Sequence, residues 1–330
     1  MVIQRIFSGI QPSGVAHLGN YLGAIRQWVS LQDKCESIVY SVVDLHSLSV
    51  PQAPLLLKRN IRSMTVCLLA CGVDPDKSII FQQSQVPQHA QLMWLLSCRT
   101  PSGWLSRMTQ WKAKGATSDR DVVSLGLFAY PVLMAADVLL YKATHVPVGE
   151  DQLQHLELTR DIARSFNSTY GATFPEPKPL LSNHKRVMSL RNPLQKMSKS
   201  DNQEMSRITL SDTPDEIRKK FRRAVTDSIG NITFDPAERP GVSNLVTIYS
   251  AVTEISTEEV CLQFEGKQSV DLKEELAEIL VDKLGPIRER IEQLESDEGY
   301  VDDVLTRGAE RARAIAEDNI STITRLVGLS

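Results

Sequence analysis

Residues 8–23 read SGIQPSGVAHLGNYLG and follow directly on an apolar opening, Val2-Ile3-x-x-Ile6-Phe7. The opening has the look of a short buried strand. The turn after it is rich in Gly and Pro (Gly9, Pro12, Gly14), and a second small-residue step, Gly19, precedes a helical pattern of Tyr21, Leu22, Ile25, Trp28 and Val29. Strand, small-residue turn and helix N-terminus form a local geometry that holds phosphate, because backbone N–H groups and the positive end of the helix dipole point at an anion. Glycines at 9, 14 and 19 let backbone and ligand approach closely. Neither GxxxxGK[ST] nor GxGxxG is present; the turn instead carries Pro12-Ser13-Gly14-x-x-His17-Leu18-Gly19-Asn20. His17 and Asn20, one turn apart, could both reach phosphoryl oxygens. The same residues also fit a tight βα turn with a surface histidine, and this segment alone does not separate the two.

The following stretches extend the pattern. Ile38-Val39-Tyr40-Ser41-Val42-Val43-Asp44 is a near-continuous apolar run, as a buried parallel strand requires. It ends in Asp44-x-His46, where strand C-termini open onto a ligand crevice in doubly wound sheets; His46 is either a pocket residue or a core-satisfied histidine. An amphipathic helix over 55–70, a strand at 79–81 and a helix over 88–97 continue a βαβα alternation. Residues 100–124 are less regular and read as a mobile loop with Lys114 at its hinge. Tyr130 opens the run YPVLMAADVLL, in which Asp137 is an expensive carboxylate unless it finds a donor. A carboxylate at the floor of an apolar pocket would select for a ligand that carries an N–H donor; an Asp capping a neighbouring helix is the plainer alternative. Val146-Pro147-Val148 reads as the last short strand, followed by Gly149-Glu150-Asp151-Gln152 at a helix start, where acidic residues are common for dipole reasons alone. Arg186–Leu190 reads as a short strand feeding the loop Lys196-Met197-Ser198-Lys199-Ser200, whose two lysines and interleaved hydroxyls suit polyphosphate oxygens.

HLGN and KMSKS, in this order on either side of an α/β domain, resemble the two signature boxes of the class I aminoacyl-tRNA synthetases. The segments FSGIQPSG, PVLMAAD and VPVGEDQ make the resemblance closest to the tryptophanyl family, over nearly the whole chain. The resemblance implies ATP and Mg²⁺, L-tryptophan and tRNA(Trp) as substrates and partners, and a homodimer. It assigns His17, Asn20, Lys114, Lys196 and Lys199 to catalysis. It assigns Gln11, Pro12, Ser13, Gly19, Asn20, Gly149, Glu150, Asp151, Val187 and the loop Lys196, Met197, Ser198, Lys199 and Ser200 to ATP. Phe7, His46, Tyr130, Met134, Asp137 and Gln152 fall to the amino acid. The tyrosyl family shares both boxes, but a tyrosine pocket must satisfy an O–H that both donates and accepts. A nucleotidyltransferase of the HxGH type and a catalytically silent RNA-binding paralogue are further alternatives, opposed by the full KMSKS loop and by the intact boxes.

The chain has 330 residues and a formal net charge of −3, which leaves RNA binding to a local basic face. No apolar run is long enough to span a membrane. The five cysteines form no CxxC pair, which argues for buried thiols and against a zinc site. After about Arg207 the composition changes. Thr213-Pro214-Asp215-Glu216 is a capping box, and the helix it starts carries Arg218, Lys219, Lys220, Arg222 and Arg223, either a solvated face or an RNA-backbone contact. Helices read over 242–252, 256–264, 270–284, 287–294 and 301–326, with Gly285-Pro286 dividing the third from the fourth. The expected fold is α/β: a doubly wound, mostly parallel Rossmann-like sheet in a catalytic domain over 1–206. A smaller helical domain covers 207–330, its last helix returning to the first. The segments DLHSL, LACGVDP and THVPVGEDQ look like animal mitochondrial versions, so the mitochondrial matrix is the expected compartment, with the cytoplasm as the alternative.

Overall fold

The structure is a computed structural model that describes residues 3–112, 124–181, 186–199, 201 and 203–329. Among the described residues five parallel strands form one sheet in the order β3-β2-β1-β4-β5. They are β1 (Ile3–Ile10), β2 (Cys35–Val42), β3 (Ile79–Gln82), β4 (His145–Val148) and β5 (Lys178–Leu181). The chain order reverses between β1 and β4, so a crevice opens past their C-terminal ends, the place where doubly wound sheets bind ligands. β5 was not legible in the sequence. It is an edge strand, exposed at both ends and half-buried between, with Pro179 in its middle, so it has neither an apolar run nor an alternation to mark it.

Helix α1 begins at Leu18–Asn20, passes through a π turn at Tyr21–Ile25 and continues over Arg26–Leu31. It is followed by α2 (Asp44–Ser47), α3 (Pro54–Ala70), α4 (Gln88–Ser97), α5 (Ser102–Ser106), α6 (Leu125–Leu140) and α7 (Leu153–Tyr170). Residues alternate across the sheet with period two. Ile6, Ile38, Tyr40 and Ile80 face one core with α1 and α3; Phe7, Val39, Ile79 and Phe81 face the other with α4, α6 and α7.

The C-terminal helices are α8 (Pro214–Arg222), α9 (Pro240–Thr253), α10 (Thr257–Gln263), α11 (Ser269–Ser296) and α12 (Glu298–Leu326). Both expected capping boxes form, at Thr213/Glu216 and Ser256/Glu259. Two expectations fail. Gly285-Pro286 does not divide α11, because the buried stripe Leu276, Leu280, Leu284, Ile287 and Ile291 runs straight through it. Pro286 and Asp282, whose carbonyl loses its helical partner, are both exposed, so water can satisfy that group. Residues 186–190 also form no strand; only Met188 pairs, in an isolated antiparallel bridge with Lys196. Helix α12 returns to the sheet and lies along β3, with Gly308 against the Ile80 backbone. No helix among the described residues is long and apolar enough to cross a membrane.

Candidate active site

A cavity of about 400 Å³ opens at the switch point between β1 and β4. Phe7–Gln11 from the end of β1 and Val146–Gly149 from the end of β4 line it, together with His46, Tyr130, Met134, Asp137 and Gln152. Every residue expected to touch the amino acid is therefore in one cavity, although they come from positions 7 to 152 of the chain. Gln110 also lines it and was not singled out in the sequence; a lone Gln in an irregular stretch carries no signal.

Asp137 is 2% exposed and sits at the floor, on the buried face of α6. It is not waiting for a first donor. Its Oδ1 accepts from Gln83 Nε2 (2.7 Å) and His89 Nδ1 (2.6 Å), and its Oδ2 accepts from His46 Nε2 (2.7 Å). Burial pushes its pKa up, but the His46 and His89 contacts outweigh this and hold the carboxyl below its usual value. His46 is thus both a pocket residue and a core-satisfied histidine. Neither Gln83 nor His89 stood out in the sequence, because what marks them is contact with a residue about fifty positions away.

The far end of the cavity is polar. The Tyr130 hydroxyl lies 2.7 Å from both Gln110 Oε1 and His155 Nε2. His155 is 1% exposed, and burial lowers its pKa to about 4, so the ring is neutral. Gln152 Nε2 donates to Asp151 Oδ2 at 3.0 Å, which leaves the Gln152 carbonyl oxygen to face a ligand.

The two signature boxes, some 180 residues apart, meet beside this cavity. His17 pairs with Thr209 in an antiparallel bridge, Leu18 N–H donates to the Ile208 carbonyl (2.8 Å), and Lys199 Nζ donates to the Gly14 carbonyl (2.8 Å). Gly14 adopts a φ of 92°, a conformation that favours glycine. His17 and Asn20 also cap α1: Asn20 N–H donates to His17 Nδ1 (3.3 Å), and His17 N–H donates to Asn20 Oδ1 (3.1 Å). The capping fixes their chemistry. His17 Nδ1 is the acceptor, so Nε2 carries the proton, and Asn20 keeps only its NH₂ to offer a ligand. Burial first, and then Lys199 and Lys196, lower the His17 pKa to about 3, so it is a neutral donor and not a cation.

Lys199 is the charged group at the meeting point. Burial lowers its pKa to about 8. Lys196 and Ser198 line a neighbouring groove with Arg191, Asn192, Gln195, Asp201 and Gln203. Val187 is buried near Gly19, where a Cβ would lie 3.8 Å from the Val187 Cβ. Met197 is 1% exposed and its N–H donates to the Val187 carbonyl, so its side chain is core. Pro12 is buried, while Gln11 and Ser13 at the same turn are exposed. Lys114, Ser200 and the Glu150 side chain lie outside the described residues. Among the described residues no group of three or more His, Cys, Asp and Glu could hold a metal ion.

The family model for class I tRNA synthetases (W and Y) matches residues 3–285. The tryptophan–tRNA ligase of Caldanaerobacter subterraneus is 49% identical over 328 residues, 99% of each chain. The chain belongs to the tryptophanyl family of class I tRNA synthetases. Solved structures agree. A tryptophanyl-tRNA synthetase from Mycoplasma pneumoniae superposes with a TM-score of 0.89 at 35% identity, covering 99% of this chain and 98% of that one. One from Campylobacter jejuni, complexed with ADP and tryptophan, superposes with a TM-score of 0.83 at 32% identity, covering 99% and 100%.

The basic run of α8 is smaller than it reads. Arg218 is engaged by Glu278 through two hydrogen bonds (2.7 and 2.9 Å) and paired with Asp215, and Lys220 is buried against Asp212. Lys219, Arg222 and Arg223 remain as the solvent-side charges.

Proposed function

We infer that this chain activates L-tryptophan with ATP and transfers the product to tRNA(Trp). The observation that carries the reading is a buried, ionised carboxylate at the floor of an apolar cavity beside a phosphate-type turn. In the first step the tryptophan carboxylate attacks the α-phosphorus in line. A C–O–P bond forms, the bond to the β-phosphate oxygen breaks, and pyrophosphate leaves with the electron pair. In the second step a hydroxyl of the terminal tRNA ribose attacks the aminoacyl carbonyl and AMP leaves. No protein nucleophile is needed, so the work is positioning and charge stabilisation.

The geometry supports these roles. Asp137 Oδ2, which has one donor and room for another, accepts the indole N–H. Phe7, stacked on Tyr141 on one side, and Met134 bound the ring. Tyr130 and Gln152 face the ammonium group, and Asp151 with the Gly149–Glu150 backbone faces the ribose. His17 Nε2–H and the Asn20 amide donate to the triphosphate. Lys199, once released from the Gly14 carbonyl, neutralises the departing pyrophosphate with Lys196, and the family resemblance adds Lys114 to them. Mg²⁺ enters as part of the nucleotide substrate, the usual way this ion reaches phosphoryl-transfer sites.

Amino-acid-dependent ATP–pyrophosphate exchange tests the reading. Exchange with tryptophan alone is the expected result; exchange with tyrosine would refute the pocket assignment, and none with either would refute the activity. Two further readings are proposals. A homodimer is supported by the exposed Leu48, Val50, Leu55 and Leu56, close together in the chain, and is checked by light scattering. A mitochondrial location rests on the resemblance of DLHSL, LACGVDP and THVPVGEDQ, with the cytoplasm as the alternative; imaging of the tagged protein decides between them.

A further inference from the structure

Behind the Asp137 carboxylate lies a closed chain of buried polar groups that the cavity itself does not touch. His89 and Tyr141 are both 0% exposed. The Tyr141 hydroxyl lies 2.8 Å from His89 Nε2, and His89 Nδ1 lies 2.6 Å from Asp137 Oδ1. On the other side Leu45 N–H donates to Gln83 Oε1 (3.1 Å), and Gln83 Nε2 donates to Asp137 Oδ1 (2.7 Å).

Each end of this chain fixes the roles along it. A backbone N–H can only donate, so Gln83 must turn its carbonyl to Leu45 and its amide to Asp137. At the other end burial, and then the nearby Asp137 charge, raise the Tyr141 pKa well above its usual value, so the hydroxyl keeps its proton. If His89 Nε2 carried hydrogen, the buried Tyr141 proton would have no acceptor in this chain. In the neutral ring it would also set a bare Nδ1 lone pair against a carboxylate oxygen. Both faults vanish when Tyr141 donates to Nε2 and Nδ1–H donates to Asp137. Oδ1 is then filled by two fixed donors, and the spare acceptor capacity of the carboxylate is left on Oδ2, the oxygen shared with the cavity residue His46.

We propose that Tyr141 and His89 are specificity-determining positioning residues: through the His89 tautomer they hold the Asp137 carboxylate rotated so that Oδ2 reads an N–H on the substrate ring. This rests on the activity inferred above. It separates recognition of the N–H from mere filling of the cavity, because the residues that enforce it never touch the substrate.

The probe is a pair of substrates of nearly equal shape, tryptophan and its isostere with sulfur in place of the indole N–H, compared by kcat/KM in ATP–pyrophosphate exchange. Tyr141→Phe keeps the ring stacked on Phe7 and deletes one buried oxygen. It should lower the tryptophan-to-isostere ratio by about tenfold or more, the size of one buried hydrogen bond to a charged group. His89→Leu should lower it similarly. His89→Asn, whose amide can stand in for Nδ1–H, should keep it within about threefold of the parent. A structural role alone would lower both substrates together. An unchanged ratio in Tyr141→Phe, or equal ratios in the Leu and Asn variants, would overturn the proposal. Absence of exchange with tryptophan in the unaltered protein would instead overturn the activity reading.

Discussion

Replacing Gly308 by Ala should do more harm than any other single methyl group added to α12. Helix α12 reaches β3 through a face of small residues, Gly308, Ala309, Ala312 and Ala316. A Cβ on residue 308 would fall inside the Ile80 carbonyl oxygen and only 2.7 Å from its carbonyl carbon. The obstacle is the backbone of β3, held in register by its pairing with β2, so the helix has to move, by about 1 Å or more to reach ordinary contact. That shift strains the bonds seating the helix: Arg311 to the Pro75 carbonyl (2.8 Å), Arg313 to the Gln85 carbonyl (2.8 Å) and Asn319, 5% exposed, to the Leu140 carbonyl (2.9 Å). Overpacking costs about 1–3 kcal/mol. One strained buried bond adds about 1–2 kcal/mol, and the better helix propensity of Ala returns about 1 kcal/mol. The net loss is about 1–4 kcal/mol, a fall of about 1–6 °C in Tm for a chain of this size. Gly299→Ala, in the same helix, is the control. Its Cβ would meet only Asp297 Oδ1 at 3.8 Å, and its effect should stay within about 0.5 kcal/mol. Thermal unfolding of both variants is the assay, with KM for tryptophan as a second readout, because Gln85 is two residues from Gln83. Equal Tm values for the two variants would refute the reasoning.

Asp137→Asn should relax discrimination against tyrosine and phenylalanine by about 10-fold or more, since its amide turns a donor toward groups that already donate; unchanged selectivity in exchange assays would make Asp137 purely structural. Lys199→Ala should lower the adenylation rate constant far more than it weakens tryptophan binding, read by single-turnover kinetics against equilibrium titration. The Lys199 pKa, lowered to about 8, implies that kcat/KM for ATP falls as pH rises through about 8, where the free enzyme loses this charge; Lys199→Arg should remove that limb, and a limb that persists would assign it elsewhere. Lys220→Ala leaves Asp212 buried without its cation and should cost about 3–5 kcal/mol in denaturant unfolding, against near neutrality for a surface partner such as Asp303.

Local signals were legible in the sequence wherever a segment carries its own physics. The apolar runs at 38–44 and 79–81, the small-residue turn at 9–19 and the capping boxes at Thr213 and Ser256 specify strands, a phosphate-type turn and helix starts from neighbours alone. The apolar run around Asp137 marked that carboxylate on physical grounds, and the family resemblance supplied Phe7, His46, Tyr130, Met134 and Gln152 of the cavity. Tertiary contact decided the rest. Pro286 sits inside a continuous helix because a buried stripe across it outweighs one lost hydrogen bond. β5 exists because β4 offers it an edge. The state of Asp137 depends on Gln83, His89 and Tyr141, which meet it only when β3, α4 and α6 pack. A carboxylate's need for partners is visible in one residue; which partners answer it depends on distances that no local pattern encodes.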